Sequence, residues 1–279
     1  MKKWWLFLLI VASSSTTPLC AQWRAGLFAG IANYYGDLND TPFNQPLPVV
    51  GVQAGYELSP YWRLRGSFNM GRIQGSDKYS SSGRPYRNLS FESKISEWSV
   101  DLSYALFDVE TFHWTPYVFG GVSVFHFNPY TFDTYGKKVY LQPLHTEGQG
   151  LPEYSQRRNY ALTAPALPFG VGVRFQLSPS VELGLETGVR KTFTDYLDDV
   201  STTYVDPNIL LNRVGQQSVD LSYRGDEGRG SATYPKFGAG RGNPKKKDGF
   251  YFTGIQLNVR LFEGEYHGSR KTLDCPPLR

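Results

Sequence analysis

The chain has 279 residues, with 29 Lys and Arg against 25 Asp and Glu, and 15% of its residues are aromatic. Its mean hydropathy is −0.38, and beyond the N-terminus no run approaches the roughly 20 apolar residues that a spanning helix needs, which excludes a bundle of membrane helices. The near balance of charge gives no reason to expect nucleic acid as a partner.

The N-terminus reads as an export signal. Lys2 and Lys3 precede the apolar run Trp4 to Ala12, and a small, polar segment leads to Leu19-Cys20-Ala21. Such a segment is too short for an anchor, and cleavage after Ala21 is expected, so residues 1–21 are left out of the fold. Lipidation at Cys20 is the competing outcome, disfavoured by the bulky Leu19 where a small residue is usual. Loss of the signal lowers the formal charge from +4 to +2, because two lysines leave with it. It also leaves Cys275 without an internal partner for a disulfide.

The mature chain alternates. Side chains of a strand point to opposite faces in turn, so period-two patterning marks strands. The first candidate, Trp23 to Tyr34, sets Trp23, Ala25, Leu27, Ala29 and Ile31 against Arg24, Gly26, Phe28, Gly30 and Ala32. The second, Val50 to Leu58, is followed by the turn Ser59-Pro60-Tyr61, and the third begins at Trp62. A polar stretch from Gly71 to about Lys94 reads as a loop. The fourth strand starts near Trp98, and the fifth, Tyr117 to Phe127, is apolar on both faces and is not oriented by its pattern. After a long turn-rich region, Leu167 to Leu177 form the sixth strand. The seventh sets Val181, Leu183, Leu185, Thr187 and Val189 against Glu182, Gly184, Glu186, Gly188 and Arg190. The longest loop, Thr192 to Gly249, precedes a last strand ending near Phe262.

About eight strands of roughly 9–11 residues suit a tilted bilayer crossing. Connections after the second, fourth and sixth strands are short and the others long. Outer-membrane barrels have short periplasmic turns and long outer loops, so both termini are expected in the periplasm. Trp23, Trp62 and Trp114 then fall on that side, as an aromatic girdle requires. A soluble β-sandwich is the competing architecture, but it does not need charges on the inner face of nearly every strand. The expectation is an all-β chain: an eight-stranded antiparallel outer-membrane β-barrel over 22–262, in contact with outer-membrane lipids, and a periplasmic tail over 263–279.

The inward set carries Glu57, Arg63, Arg65, Asp101, Arg174, Glu182, Glu186, Arg190 and Arg260. Buried charges must be paired, and acids and bases are nearly balanced, so a salt-bridge network is expected to plug the lumen. Glu186 and Arg190 are expected in one paired network with charges on neighbouring strands, with the glycines making room for long arginines and Glu147 exposed in a loop. Catalysis, metal binding and a cofactor are not expected. His145 with Asp198 and Asp199 is the one imaginable rim pair; the plainer expectation is that these aspartates order their own loop and pair with Arg190 or Lys191.

Several segments resemble motifs of the PorG-like outer-membrane proteins. They are Asn33-Tyr34-Tyr35-Gly36-Asp37-Leu38, Arg87-Asn88-Leu89-Ser90-Phe91, Thr146-Glu147-Gly148-Gln149-Gly150, Pro168-Phe169-Gly170 and Arg241-Gly242-Asn243, with a late Cys275-Pro276. The strongest runs from Arg190 to Ser201 and includes Thr194, Asp195, Tyr196, Asp198 and Asp199. The resemblance implies a non-enzymatic component of the type IX protein-secretion machinery, associated with a periplasmic ring built by PorK and PorN. A disulfide from Cys275 to a PorK-like lipoprotein is the partner expectation. A stand-alone binding protein or adhesin using its long outer loops is the alternative.

Overall fold

The computed structural model describes residues 22–79, 86–228 and 233–261. The expected signal 1–21 and the tail 263–279 with Cys275 lie outside the described residues. The strands in chain order are β1 Gln22–Tyr35, β2 Leu47–Glu57, β3 Trp62–Ser76, β4 Ser90–Ala105, β5 Trp114–Phe132, β6 Lys138–Tyr140, β7 Thr163–Gln176, β8 Val181–Thr192 and β9 Gly249–Arg260. β6 is a flap on the end of β5. The other eight pair antiparallel with their barrel neighbours, and β1 against β9 closes the cylinder.

The alternation of the sequence becomes the two faces of the wall. Val52, Val100, Val122, Val171 and Leu185 stand half-exposed outside, while Gln53, Asp101, Ser123 and Glu186 are buried within. The strand that the sequence left unoriented is resolved. In β5, Trp114, Val118, Val122 and Val124 face outward, and Tyr117, Phe119, Phe125 and Phe127 fill the lumen. At about 3.3 Å per residue and about 40° of tilt, the stretch from Trp114 to Val124 rises about 25 Å, the height of an outer-membrane apolar belt. Above that belt the outward positions turn polar, at Arg72, Lys94, His126 and Lys191. At the other end Trp23, Trp62 and Trp114 open β1, β3 and β5 and rest on Tyr56, Tyr104 and Phe107.

Four strand boundaries differ from expectation for one reason. The stretch Gly71 to Lys94 is largely strand, with Arg72 paired to Lys94 and Ser76 to Ser90. β5 likewise runs on to Phe132 and β7 starts at Thr163. Beyond the lipid the outer face of a barrel meets water, so the greasy stripe that marks a spanning strand disappears while the inner face stays apolar. Ile73, Phe91 and Ile95 are that inner face, and with Tyr34, Phe125, Phe127, Phe250 and Phe252 they form the main apolar core. Phe125 and Phe250 meet edge to face at 5.2 Å. Water surrounds this part of the barrel, so each such ring contributes roughly 1.5–3 kcal/mol by burial. The outward residues of the belt gain little that way, because lipid is their solvent.

The long-loop end is also more ordered than a loop reading suggests. The connection 193–248 carries two short helices, α2 Pro207–Arg213 and α3 Gln216–Ser222. Asp206 caps the first, accepting from the Asn208 N–H at 2.8 Å, and Pro207 opens it, where a missing N–H costs nothing.

Candidate functional site

Inside the belt, five arginines meet five acids. Arg24 binds Glu57 at 2.8 Å, and Arg63 reaches Glu57 at 2.7 Å and Glu182 at 2.8 Å. Arg174 lies 3.8 Å from Glu182, its guanidinium 3.9 Å from the centre of the Tyr117 ring. Arg65 bridges Asp101 at 3.0 Å and Glu186 at 2.6 Å. Higher up, Arg190 pairs with Glu97 at 3.3 Å and lies over Phe252. Neutral groups complete the packing: Tyr117 donates to Glu186 at 2.6 Å, and Gln53 to Asn258 at 2.6 Å. The equal count of charges lets the lumen be dry without a surplus charge, which low dielectric would penalise heavily.

Glu186 takes Arg65 from β3, and Arg190 takes Glu97 from β4. Residues four apart on one strand point the same way but lie about 13 Å apart, whereas a facing strand brings charges head on. Two expectations need correction here. Arg260 is not in the lumen network; it sits at the short-turn end, 2.7 Å from the exposed Glu110 of α1, Val109–Phe112. The inward glycines make room mostly for rings and amides: a Cβ at Gly172 would meet Tyr117, at Gly188 Phe119, and at Gly184 Gln256. Glu97 lies one residue before Trp98, where the apolar alternation of the fourth strand begins, in the part of β4 (Ser90–Ala105) that the pattern does not mark.

The second buried polar cluster lies under the long loops. Arg241 is 3.0 Å from Glu147 and 3.8 Å from Asp199, and its backbone carbonyl accepts from Arg87. Arg87 also forks onto Asp77, at 2.6 and 2.8 Å, and donates to the Asp37 carbonyl. Glu147 accepts from the Ser201 and Thr202 N–H groups, each at 2.9 Å. Asp199, at a positive φ of 65°, which Asp tolerates better than most residues, accepts from Thr146 and Tyr160. The Tyr34 hydroxyl lies 2.6 Å from Asp198 and 3.0 Å from Asp248. A phenol carries one proton, so the two carboxyls cannot both accept from it at once. Burial first, then the charge of Asp37, pushes Asp198 well above the usual carboxylate range, and burial with the charge of Asp198 does the same to Asp248. Burial raises Asp199 to about 6.

The expected partners of this motif are thus replaced. Neither Arg190, turned inward to Glu97, nor the exposed Lys191 serves the aspartates; Arg241, from the far end of the chain, serves Asp199, and Asp198 takes the Tyr34 hydroxyl. Glu147, expected to be exposed, is fully buried. His145 is not among the hydrogen-bond partners of Asp198 or Asp199, its Nδ1 having none among the described residues. Thr194 caps the Tyr196 N–H at 3.3 Å, Tyr196 stacks on Tyr160 at 4.8 Å, and Asp195 accepts from Ser201 at 2.6 Å. Arg87 and Arg241 open two of the segments that carry the family resemblance, but their role needs a contact that no spacing reveals. Among the described residues no group of three or more His, Cys, Asp or Glu is placed to hold a metal ion.

A closed cylinder with an apolar belt, an aromatic girdle and a filled lumen defines the class: an eight-stranded outer-membrane β-barrel. The chain belongs to the family of the domain of unknown function DUF6089, whose model matches residues 2–207. Comparison with curated proteins gives no match. Among solved structures the chain is similar to Ail, the attachment invasion locus protein of Yersinia pestis, with 10% identity, a TM-score of 0.39, and coverage of 86% of this chain and 99% of that one. It is similar to Neisserial surface protein A, with 12% identity, a TM-score of 0.42 and coverage of 85% and 96%. It is also similar to a major outer membrane protein of Thermus thermophilus, with 15% identity, a TM-score of 0.39 and coverage of 85% and 99%.

Proposed function

We propose that this protein is a non-enzymatic outer-membrane scaffold of a type IX protein-secretion machinery, contacting a periplasmic ring of PorK-like lipoprotein and PorN-like protein. One observation carries the reading. The segments around Tyr34, Arg87, Glu147, Asp198 and Arg241, on which the resemblance to PorG-like proteins rests, meet in one buried network. Their shared chemistry is that of a built structural cap, with no group offered to a substrate. The filled lumen supports the same reading, because a scaffold needs a rigid barrel and no passage. Both termini then face the periplasm, and Cys275 makes a disulfide to a ring lipoprotein, an oxidising compartment favouring the bond.

Deletion of the gene is expected to trap secreted cargo in the periplasm; normal secretion in the deletion strain overturns the proposal. The tether has its own test, a non-reducing gel of alkylation-quenched cells. A higher-mass band should vanish on reduction and in Cys275→Ser, and quantitative alkylation of Cys275 in untreated cells removes the tether.

The alternative, a stand-alone binding protein or adhesin, is favoured by exposed aromatics on the long loops: Tyr135 is 93% exposed and Phe237 67%. Trimming those loops would destroy the buried cap, so point changes are the cleaner test. Tyr135→Ser with Phe237→Ser should abolish surface binding on the adhesin reading and leave secretion intact.

A further inference from the structure

The outward faces of the strands are apolar along the belt, and the charges they carry are confined to the long-loop side. Among the described residues those outward strand charges are Arg72, Lys94, Lys138, Lys191 and Glu92, four cations to one acid. β3 and β4 set most of them in a ladder of facing pairs: Phe68 with Trp98, Met70 with Ser96, Arg72 with Lys94, and Gln74 with Glu92. The rings of Phe68 and Trp98 meet at 4.4 Å and line a hollow of about 780 Å³ on the belt, beside Val100 and Val122. The Arg72–Lys94 pair stands four residues, roughly 13 Å, further along the ladder.

Two like charges directly opposite each other on paired strands repel, and both Arg72 and Lys94 are exposed to whatever surrounds the barrel. Glu92 relieves them little. It lies 3.9 Å from Arg72, beyond hydrogen-bond reach, and accepts the Tyr130 hydroxyl at 2.7 Å. Lys138, 3.5 Å above the centre of the Tyr130 ring, adds a third cation. Asp133 and Lys137, in the turn beyond, are one of each sign. The cluster therefore holds a surplus of two positive charges just above the belt, where a lipid head group lies, with an acyl-chain surface directly below.

We propose that this cluster binds the phosphomonoester of a phosphorylated glycolipid of the lipid A type, from the leaflet on the long-loop side. A phosphate monoester carries about −1.5 to −2 at neutral pH, which matches the surplus. A phosphodiester carries a single charge and leaves one cation uncompensated. Arg72 forks onto two phosphate oxygens and Lys94 meets the third as a point charge. An acyl chain lies along Met70, Phe68 and Trp98. Free phosphate would leave that apolar face unused, and a soluble polyanion would run on into Glu92. Lys191, on β8, is separated from β4 by β5 and β7 and lies outside the cluster. This site is independent of any role in secretion.

The full mature chain, reconstituted in phosphatidylcholine bilayers with equal parts of lipid A, chemically dephosphorylated lipid A and phosphatidylglycerol, is released into detergent and weighed intact by native mass spectrometry. One lipid A per barrel should be retained, with a preference of about tenfold over each other lipid. Retention should fall about tenfold when Arg72→Gln and Lys94→Gln are combined, and should persist in Lys191→Gln. Heat-modifiable migration reports that each variant is folded. Should the double variant fail to fold, the exposed Lys94→Gln decides alone. A preference for phosphatidylglycerol, equal retention of the dephosphorylated glycolipid, displacement of lipid A by inorganic phosphate or by a soluble sulfated polysaccharide, loss in Lys191→Gln, or unchanged retention in the folded double variant overturns the site.

Discussion

Arg241 and Glu147 stand 94 residues apart in the chain, and their side chains meet at 3.0 Å with both excluded from solvent. Neither has a structural reason to be charged except the other and its neighbours. Their contact ties the last long connection to the loop between β6 and β7, and so closes the lid on the apolar core below.

That contact sets the first prediction. Glu147→Gln leaves Arg241 buried beside Asp199 with too little compensating charge, and Arg241→Gln leaves two acids buried together. Either should cost roughly 3–5 kcal/mol, with the double variant losing less than the sum. Urea unfolding in detergent, followed by heat-modifiable migration, reads the loss; additive costs would mean that the pair does not act as a unit.

The lumen gives a second. Arg65 bridges Asp101 and Glu186, so Arg65→Leu strands two acids and should destabilise the barrel far more than Glu110→Gln at the exposed short-turn end. Single-channel recording is the companion measurement. The wild type should show no wide, stable conductance, and a large steady one would contradict a filled interior.

Stability of the cap should depend on pH with a definite sign. An acid whose pKa is raised on folding holds its proton more tightly in the native state, so its contribution is complete below its unfolded value, near 3.9, and is lost as pH rises through the folded value. For Asp199 that value is about 6, a difference of about 3 kcal/mol between about pH 4 and pH 7. Amides of the segment 197–204 should therefore exchange more slowly, after correction for intrinsic rates, at about pH 5 than at pH 7.5. Asp199→Asn should flatten that dependence.

The lipid-facing wall is tested by charge. Arg at Val171 or Leu185, both half-exposed on the belt, should cost roughly 2–4 kcal/mol. Arg at Tyr135, in a loop and almost wholly exposed, should cost little. Equal tolerance at the three positions would mean that the belt is misplaced.

Much of this was legible from order alone. The alternation Val181, Leu183, Leu185 against Glu182, Glu186, Arg190 specified which face meets lipid, because a strand has no freedom to turn one side chain without turning all. The spacing of short and long connections likewise specified the barrel and its aromatic end. Pairing was another matter. Arg65 finds Glu186 at 121 residues' separation, and Arg241 finds Glu147, because closure of β1 on β9 brings distant strands face to face and fixes which arginine reaches which acid. The sequence named the charges, and only the closed cylinder, with its curvature, stagger and lid, decided their partners.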